Sequence, residues 1–330
     1  MKLLIILLLG LSSLGANSIL DNYRQHGINN IEKQLDLELT SPLYWEKKLQ
    51  NKDTTFGYIE SYSSILSCDK NSSTLSLYKL DENSTYKLKR EYSAFTGKRS
   101  GDKKVEGDLK TPLGIYLIEE RLDKSTKLDP FYGPLAFVTS YPNIYDKVQG
   151  KTGSGIWLHG LPIKRERDDF TRGCIAINNT NIECLDENID IDKTILIINQ
   201  NKHAQITKEK LNLLLTQLFE WRYSWLYNDI QNYLSFYADD FIRYDRMKIK
   251  QFSKYITQTF EKNEKKIILF NNINIIPYPN TQDIYQITFK EYYKSNTIED
   301  NKDKTLLVKI DKFNNLKIFI ENIDLKNYNK

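Results

Sequence analysis

The chain has 330 residues, 40% of them hydrophobic and 27% charged, with a formal net charge of +4 and three cysteines. That balance describes a globular protein and excludes a disordered or membrane-embedded one. The mild, dispersed positive charge leaves no footprint for nucleic acid, and the length leaves room for two domains.

Met1-Lys2 precedes an apolar run, Leu3–Leu9, that continues through Gly10-Leu11-Ser12-Ser13-Leu14 to Ala16-Asn17-Ser18. A short cationic start, an apolar stretch and a small-x-small pattern describe a secretory signal over residues 1–18, cut after Ser18. The run falls short of the roughly 20 residues needed to span a bilayer. The expectation is therefore an exported chain that does not span the membrane. Ile28, Ile31, Leu35 and Leu39 then mark one face of a helix,. Ser41-Pro42 opens a second short helix through Leu49, with proline at its first position,. These helices, within residues 19–52, are too small for a core of their own. They must pack on the next domain or on a second copy, which makes them a candidate homodimer contact.

From residue 53 to 202 the texture changes to short strands broken by turns: Thr74–Leu80, Glu91–Thr96, Gly114–Glu119, Leu135–Ser140, Gly155–His159, Cys174–Ile177 and Thr194–Ile198. A helix is expected within Asn179–Asn188. Many short strands with regular turns predict a β-sandwich or barrel. Residues 203–330 begin with a long amphipathic helix through Leu211, Leu214, Leu215, Leu218, Trp221, Trp225 and Leu226. Helices follow at Ile230–Tyr237 and Ile249–Lys262. Strands follow at Lys266–Ile276, Ile284–Tyr292, Thr305–Ile310 and Leu316–Glu321, which predicts an α+β domain. Its dense aromatic set, including Trp221, Tyr223, Trp225, Tyr233 and Tyr237, sits at helical spacing and reads as core.

Cys68, Cys174 and Cys184 are an odd number without short paired spacing, so at least one thiol has no partner in the chain,. With only His26, His159 and His203 beside them, no metal site is expected,. Cys68 reads as a strand-end residue, Cys184 as a buried helix residue, and His26 and His203 as surface residues. Trp157-Leu158-His159-Gly160 is followed, fifteen residues after His159, by Cys174 within Thr171-Arg172-Gly173-Cys174-Ile175. A thiol becomes a competent nucleophile when a nearby base favours thiolate, and histidine is the usual partner. Both residues lie at ends of predicted strands, where loops can join them on one rim. Gly173 lets backbone approach a scissile carbonyl. The Gly173 and Cys174 amides are candidate oxyanion donors, an effect worth about 3–4 kcal/mol per donor.

These segments resemble the signature of the L,D-transpeptidase (YkuD) catalytic domain. Gly107-Asp108-Leu109-Lys110-Thr111-Pro112-Leu113-Gly114-Ile115-Tyr116 is similar to that family's Gly-x-x-x-Thr-Pro-x-Gly-x-aromatic element, and Cys68-Asp69-Lys70 through Tyr78 is similar to its opening hairpin. Many members carry His-Gly-Cys where this chain has Arg172-Gly173-Cys174, and Arg or Asn where Ala176 stands. These departures, with the appended C-terminal domain, resemble the branch that includes the L,D-carboxypeptidases controlling helical cell shape in epsilon-proteobacteria. The C-terminal segment resembles the cone-shaped nuclear-transport-factor-two-like fold.

The resemblance implies a periplasmic, cofactor-independent cysteine peptidase acting on the stem peptides of peptidoglycan (muropeptides). Cys174 would be the nucleophile, His159 the base and the Gly160 carbonyl its orienting partner. Arg172 reads as a carboxylate clamp or a surface salt bridge. Thr171 and Gly173 are candidate substrate contacts, while Trp157 is either a wall of the site or core. Thr111-Pro112 and Gly114 read as a structural turn. The cationic Lys98-Arg99 and Lys103-Lys104 read as a solvated loop or as an attraction for anionic wall polymer. Three functions follow: an L,D-carboxypeptidase first, an L,D-transpeptidase second, and a wall-binding scaffold third, which the intact His159–Cys174 pair argues against.

Overall fold

Ile195-Leu196-Ile197-Ile198 is apolar at every position. A strand carries that pattern when both of its faces are buried. The computed structural model describes residues 19–163 and 169–324, so the expected signal segment lies outside it. Two helices, α1 (Ile28–Glu38) and α2 (Pro42–Leu49), lead to β1 (Tyr58–Ile59), β2 (Ser64–Asp69), β3 (Thr74–Leu80), β4 (Tyr86–Ser93), β5 (Gly114–Asp123) and β6 (Leu135–Thr139). Helix α3 (Ile144–Val148), β7 (Trp157–His159), β8 (Ile175–Ala176), α4 (Asn179–Asn188) and β9 (Thr194–Asn199) follow.

Strands β2 to β9 form one eight-stranded sheet in the order β4-β3-β2-β9-β5-β6-β7-β8. Phe95, just after β4, exchanges both backbone hydrogen bonds with Ala176 of β8, at 2.8 and 2.9 Å. The two ends of the sheet therefore meet, and its halves face each other across Leu66, Leu75, Tyr116, Phe137, Leu158 and Leu196. Alternate residues on the same strands, Ile65, Ile115, Ile195 and Ile197, point outward into a second cluster with Ile276, Tyr278, Leu307 and Phe319. The isoleucine run is thus sandwiched between two cores.

A third core, on the far side of the second sheet, begins at α5 (Lys208–Leu226), whose first turn is capped by the Thr207 hydroxyl accepting from the Lys210 amide at 3.2 Å,. Then come α6 (Ile230–Ser235), β10 (Tyr237–Arg243), α7 (Ile249–Glu261) and four long strands: β11 (Ile267–Pro277), β12 (Ile284–Lys294), β13 (Glu299–Ile310) and β14 (Leu316–Asp324). The sheet order is β1-β11-β12-β13-β14-β10. Leu211, Leu214, Leu218 and Trp221 of α5 and Phe252 and Ile256 of α7 pack on Ile273, Ile287, Leu306 and Val308. Buried with them, the Lys304 ammonium meets Glu291 at 2.7 Å and Glu321 at 3.1 Å. Burial alone would favour neutral lysine, but the two carboxylates raise the Lys304 pKa above its ordinary value,.

Strand β10 was not predicted; the sequence pattern ran the preceding helix to Tyr237. Its paired aspartates Asp239 and Asp240 are exposed, and its pairing with β14 shifts register between Tyr237 and Ile242, so no clean alternation marks it. The aromatic set divides: Trp221, Tyr233 and Tyr237 are core, whereas Tyr227 is exposed. Cys184 is half-buried on α4, not fully buried. His203 is no ordinary surface residue: its ring lies on Phe56 with centroids 4.4 Å apart, and its Nε2 is buried without a hydrogen-bond partner among the described residues.

The N-terminal helices bypass the domain that follows them and pack on the C-terminal one. Trp45 and Leu49 belong to the core of the second sheet, with Trp45 lying 5.0 Å from Phe219 between ring centroids. On α1 the expected apolar face is only half used, because Ile31 is buried while Ile28 and Leu35 are exposed. The buried anchor is Asp36, whose carboxylate pairs with Arg222 at 2.8 Å and accepts from the Tyr227 hydroxyl at 2.9 Å. Arg222 also donates to the Ile268 carbonyl at 2.6 Å. Removing one member of a buried pair strands the other, at a cost of about 3–5 kcal/mol. Asp36→Ala should therefore lower the urea midpoint and speed proteolysis within α1 and α2. An unchanged midpoint would show that the pair contributes nothing net.

Candidate active site

Strand β7 runs between β6 and β8, pairing antiparallel with the first and parallel with the second. In the parallel register Leu158 stands opposite Ile175 and His159 opposite Ala176. The Ile177 amide donates to the His159 carbonyl at 3.0 Å. Cys174, immediately before β8, is thereby held over the start of β7. Its Sγ accepts from the Trp157 amide and lies as close to the Gly155 carbonyl, both at 3.5 Å. The thiol is partly exposed, and none of the three cysteines is in a disulfide.

His159 is 2% exposed, and its Nδ1 lies 2.6 Å from the Gly160 carbonyl oxygen. A carbonyl only accepts, so Nδ1 carries the hydrogen and the neutral ring keeps its lone pair on Nε2. That tautomer suits a proton acceptor. The turn after His159 is shaped by Asn179, whose side-chain oxygen accepts from the Leu161 amide at 2.6 Å. A Cβ on Gly160 would sit 2.5 Å from that oxygen, and one on Gly133 would sit 2.8 Å from it. Both glycines are required by this close approach.

The loop before Cys174 is fixed by one hydroxyl. Thr171 Oγ1 accepts from the Gly173 amide at 3.0 Å and donates to the Cys174 carbonyl at 2.6 Å. Thr171 is buried with its hydroxyl bonded inside the loop, which it shapes. The Gly173 amide, one of the two expected oxyanion donors, points at that hydroxyl here. Gly173 itself has φ 139°, and a Cβ there would meet the Lys110 carbonyl oxygen at 2.9 Å. The Thr111-Pro112 element thus abuts the Cys174 loop as a structural turn: Thr111 Oγ1 accepts from the Gly97 amide at 2.8 Å.

Arg172 is exposed and makes no salt bridge with any described residue. Trp157 is half-buried and lies at the wall of the site, its ring 4.7 Å from that of Tyr132. Tyr132 itself was missed in the sequence. Its ring stands edge-on to His159 at 5.1 Å, and burial, then the nearby Cys174 charge, push its phenol pKa up. Asp129-Pro130 was the available signal: the Asp129 side chain accepts from the Phe131 amide and starts the short 3-10 turn Pro130–Tyr132 that delivers the ring. Among the described residues no His, Cys, Asp or Glu cluster would hold a metal, and no helix is long and apolar enough to cross a membrane.

A thiol and a histidine are thus presented by neighbouring segments of a closed sheet, and an α+β domain follows it. Residues 64–198 match the L,D-transpeptidase catalytic domain, and residues 213–322 match the Cds6 C-terminal NTF2-like domain. Among solved structures, the helical cell shape determining protein Pgp2 of Campylobacter jejuni is 37% identical, with a TM-score of 0.78, covering 86% of this chain and 99% of that one. Bd1075 of Bdellovibrio bacteriovorus is 27% identical, with a TM-score of 0.64, covering 80% of this chain and 92% of that one. None of the curated proteins matches. The chain belongs to the L,D-transpeptidase catalytic-domain family, whose members are cysteine-based enzymes that modify peptidoglycan.

The three thiols differ in accessibility. Cys68 is fully buried in β2, and burial pushes its pKa up to about 12. Brief treatment of the folded protein with iodoacetamide should alkylate Cys174 first and leave Cys68 unmodified, as read by peptide mass mapping. Equal labelling of Cys68 would contradict the packing of β2.

Proposed function

We propose that the protein is an L,D-carboxypeptidase that removes the terminal D-alanine from peptidoglycan stem tetrapeptides and leaves tripeptides. The observation that carries this reading is the partly exposed Cys174 thiol, just before the strand that pairs with the strand of His159, whose Nδ1 is held by the Gly160 carbonyl. In the first step His159 Nε2 takes the thiol proton and Sγ attacks the carbonyl carbon on the L-centre of the diamino acid. The tetrahedral intermediate collapses, the C–N bond breaks, and the proton passes from His159 to the departing D-alanine amine. The resulting thioester is attacked by water, which gives its proton to His159. The tripeptide carboxylate leaves, and the proton returns to sulfur.

Arg172 is the clamp for the substrate's terminal carboxylate, a role its exposure and lack of an ion-pair partner among the described residues support,. Trp157 and Tyr132 wall the cleft. The product of this reaction changes which stems remain available for cross-linking, and with it cell shape, in line with the relative named for that property. The substrate places the protein in the periplasm, reached through the signal in residues 1–18, with a catalytic unit within the expected residues 53–202, less β1, which joins the second sheet, and the C-terminal domain over 203–330. Exposed Ile28, Leu35 and Leu37 support self-association through the N-terminal helices; a monomeric mass by light scattering would rule that out.

A second reading rests on the same thiol. An amine attacking the thioester in place of water would make the protein a transpeptidase, and the partly exposed Cys174 admits either acceptor. Mass spectrometry of disaccharide-tetrapeptide incubated with the mature protein separates the two. Loss of one D-alanine supports the carboxypeptidase, and cross-linked dimers support the transpeptidase. Cys174→Ala should abolish turnover with the fold intact. His159→Gln should lower kcat by about 10²–10⁴-fold, the usual contribution of a positioned base. Full activity in Cys174→Ala would end the proposal.

A further inference from the structure

A cleft of about 600 Å³ opens where the chain leaves β4. One wall is the segment from Ser93 to Ser100, the other is the turn after β2, and Asp169-Phe170 forms a rim. The floor is stiff: Gln200 accepts from the Gly101 amide at 2.9 Å and donates to the Asn71 side chain. Lys70 reaches under it to the Gly101 and Thr111 carbonyls.

Beside these engaged groups, part of the lining is unspent. The hydroxyls of Ser73, Ser93, Thr96 and Ser100 and the Arg99 guanidinium make no hydrogen bond to a protein partner among the described residues. Lys98 sits over the Phe170 ring at 4.7 Å and has no carboxylate partner among them. The neighbouring lysines differ. Lys103 is buried on Asp108 at 3.0 Å, and Lys104 pairs with Asp102 at 3.2 Å. Of the cationic cluster in the sequence, only Lys98 and Arg99 face the cleft, and Asp169 is the one carboxylate among the described residues that line it.

The cleft is tied to the candidate nucleophile by backbone. Phe95 pairs with Ala176, the Lys98 amide donates to the Thr171 carbonyl at 3.1 Å, and the Thr171 amide donates to Thr96 at 2.8 Å. The strand that walls the cleft is therefore the strand that carries the Cys174 loop on its other edge. Phe170, on the rim, is four residues from Cys174.

We propose that this cleft is a substrate subsite for the sugar end of a wall fragment. Hydroxyls that both donate and accept suit the hydroxyl and N-acetyl groups of amino sugars. Lys98 and Arg99 suit a carboxylate of the peptide joined to them. The volume falls within the range of about 300–1,000 Å³ usual for small-molecule sites. The inference rests on the reading that Cys174 acts on wall peptides, and it adds where the rest of that substrate lies. A substrate seated there is anchored on both sides of the loop that carries the thiol.

The test is calorimetric titration of disaccharide-tetrapeptide into the Cys174→Ala protein, alone and combined with Lys98→Ala/Arg99→Ala or with Ser93→Trp. All three added substitutions fall on exposed side chains, and circular dichroism checks that the fold is kept. Both combinations should weaken binding at least tenfold. Unchanged affinity in both, or no binding by the Cys174→Ala protein, overturns the subsite. The same substitutions in the chain with Cys174 intact are assayed for turnover. If the intact chain binds the fragment but never cleaves it, the catalytic reading fails and the subsite stands. If the cleft variants cleave it with unaltered KM, the subsite fails and the catalytic reading stands.

Discussion

The candidate site depends on the register of two very short strands. His159 stands opposite Ala176 because β7 and β8 pair in parallel, and Cys174 is the residue just before that pairing begins. A slip of one residue would turn every side chain of β8 to the opposite face. It would carry Ile175 out of the core and move the thiol off the Trp157 amide. So short a strand cannot hold its register alone. It is held from its far edge by Phe95 and from below by Ile175 and Ile177, both buried in the core with Leu158. The closure of the sheet and the placement of the thiol are one constraint.

The same economy runs through the loops around the site. One hydroxyl, Thr171, fixes the backbone on both sides of Gly173, and one carboxamide, Asn179, fixes the turn after His159. In each case a glycine lets the holding group come close, so the side chains that matter most to geometry are not those that would touch substrate. A second tier of buried polar contacts supports them. Lys151 pairs with both Asp146 and Asp102 at 2.7 Å, tying α3 to the loop that ends at Thr111-Pro112. Asn143, at the start of α3, donates to the Tyr278 hydroxyl of the second sheet at 3.0 Å, so that network reaches the C-terminal domain.

Much of this was legible in the chain. Most strands of the first sheet follow from periodicity, though β2 was not among those expected and β4 lies earlier than expected; in the second, the helices and β11 to β14 follow from it while β1 and β10 do not; and the Cys174 and His159 segments carry the family signature. What was not legible is non-local. Asp36 looks like a surface residue of an amphipathic helix, and only Arg222, far away in sequence, makes it an anchor. Tyr132 and Asn179 carry no motif; their roles exist only because β6, β7 and α4 converge. Ile195 to Ile198 announced burial on both faces, yet nothing local said that the second face would meet Leu307 and Phe319. His203 was misread for the same reason, since its partner Phe56 precedes the first sheet and His203 follows it.

The placement of β1 has a consequence for how the two halves move. It adds to the edge of the second sheet through Tyr58 opposite Ile275, and α1 and α2 join the same body. In topological terms the enzyme-like unit is an excursion: the chain leaves a single scaffold after β1, builds the closed sheet, and returns to that scaffold at α5. Two crossings instead of one join the parts, the first leaving β1 and the second entering α5, and His203 on the second packs on Phe56 of the scaffold. A single tether permits swivel about its own axis, whereas a double one leaves only bending about the line between the strands. The orientation of the thiol-bearing rim relative to the second sheet is thus constrained by two covalent connections as well as by the contact between the two sheets.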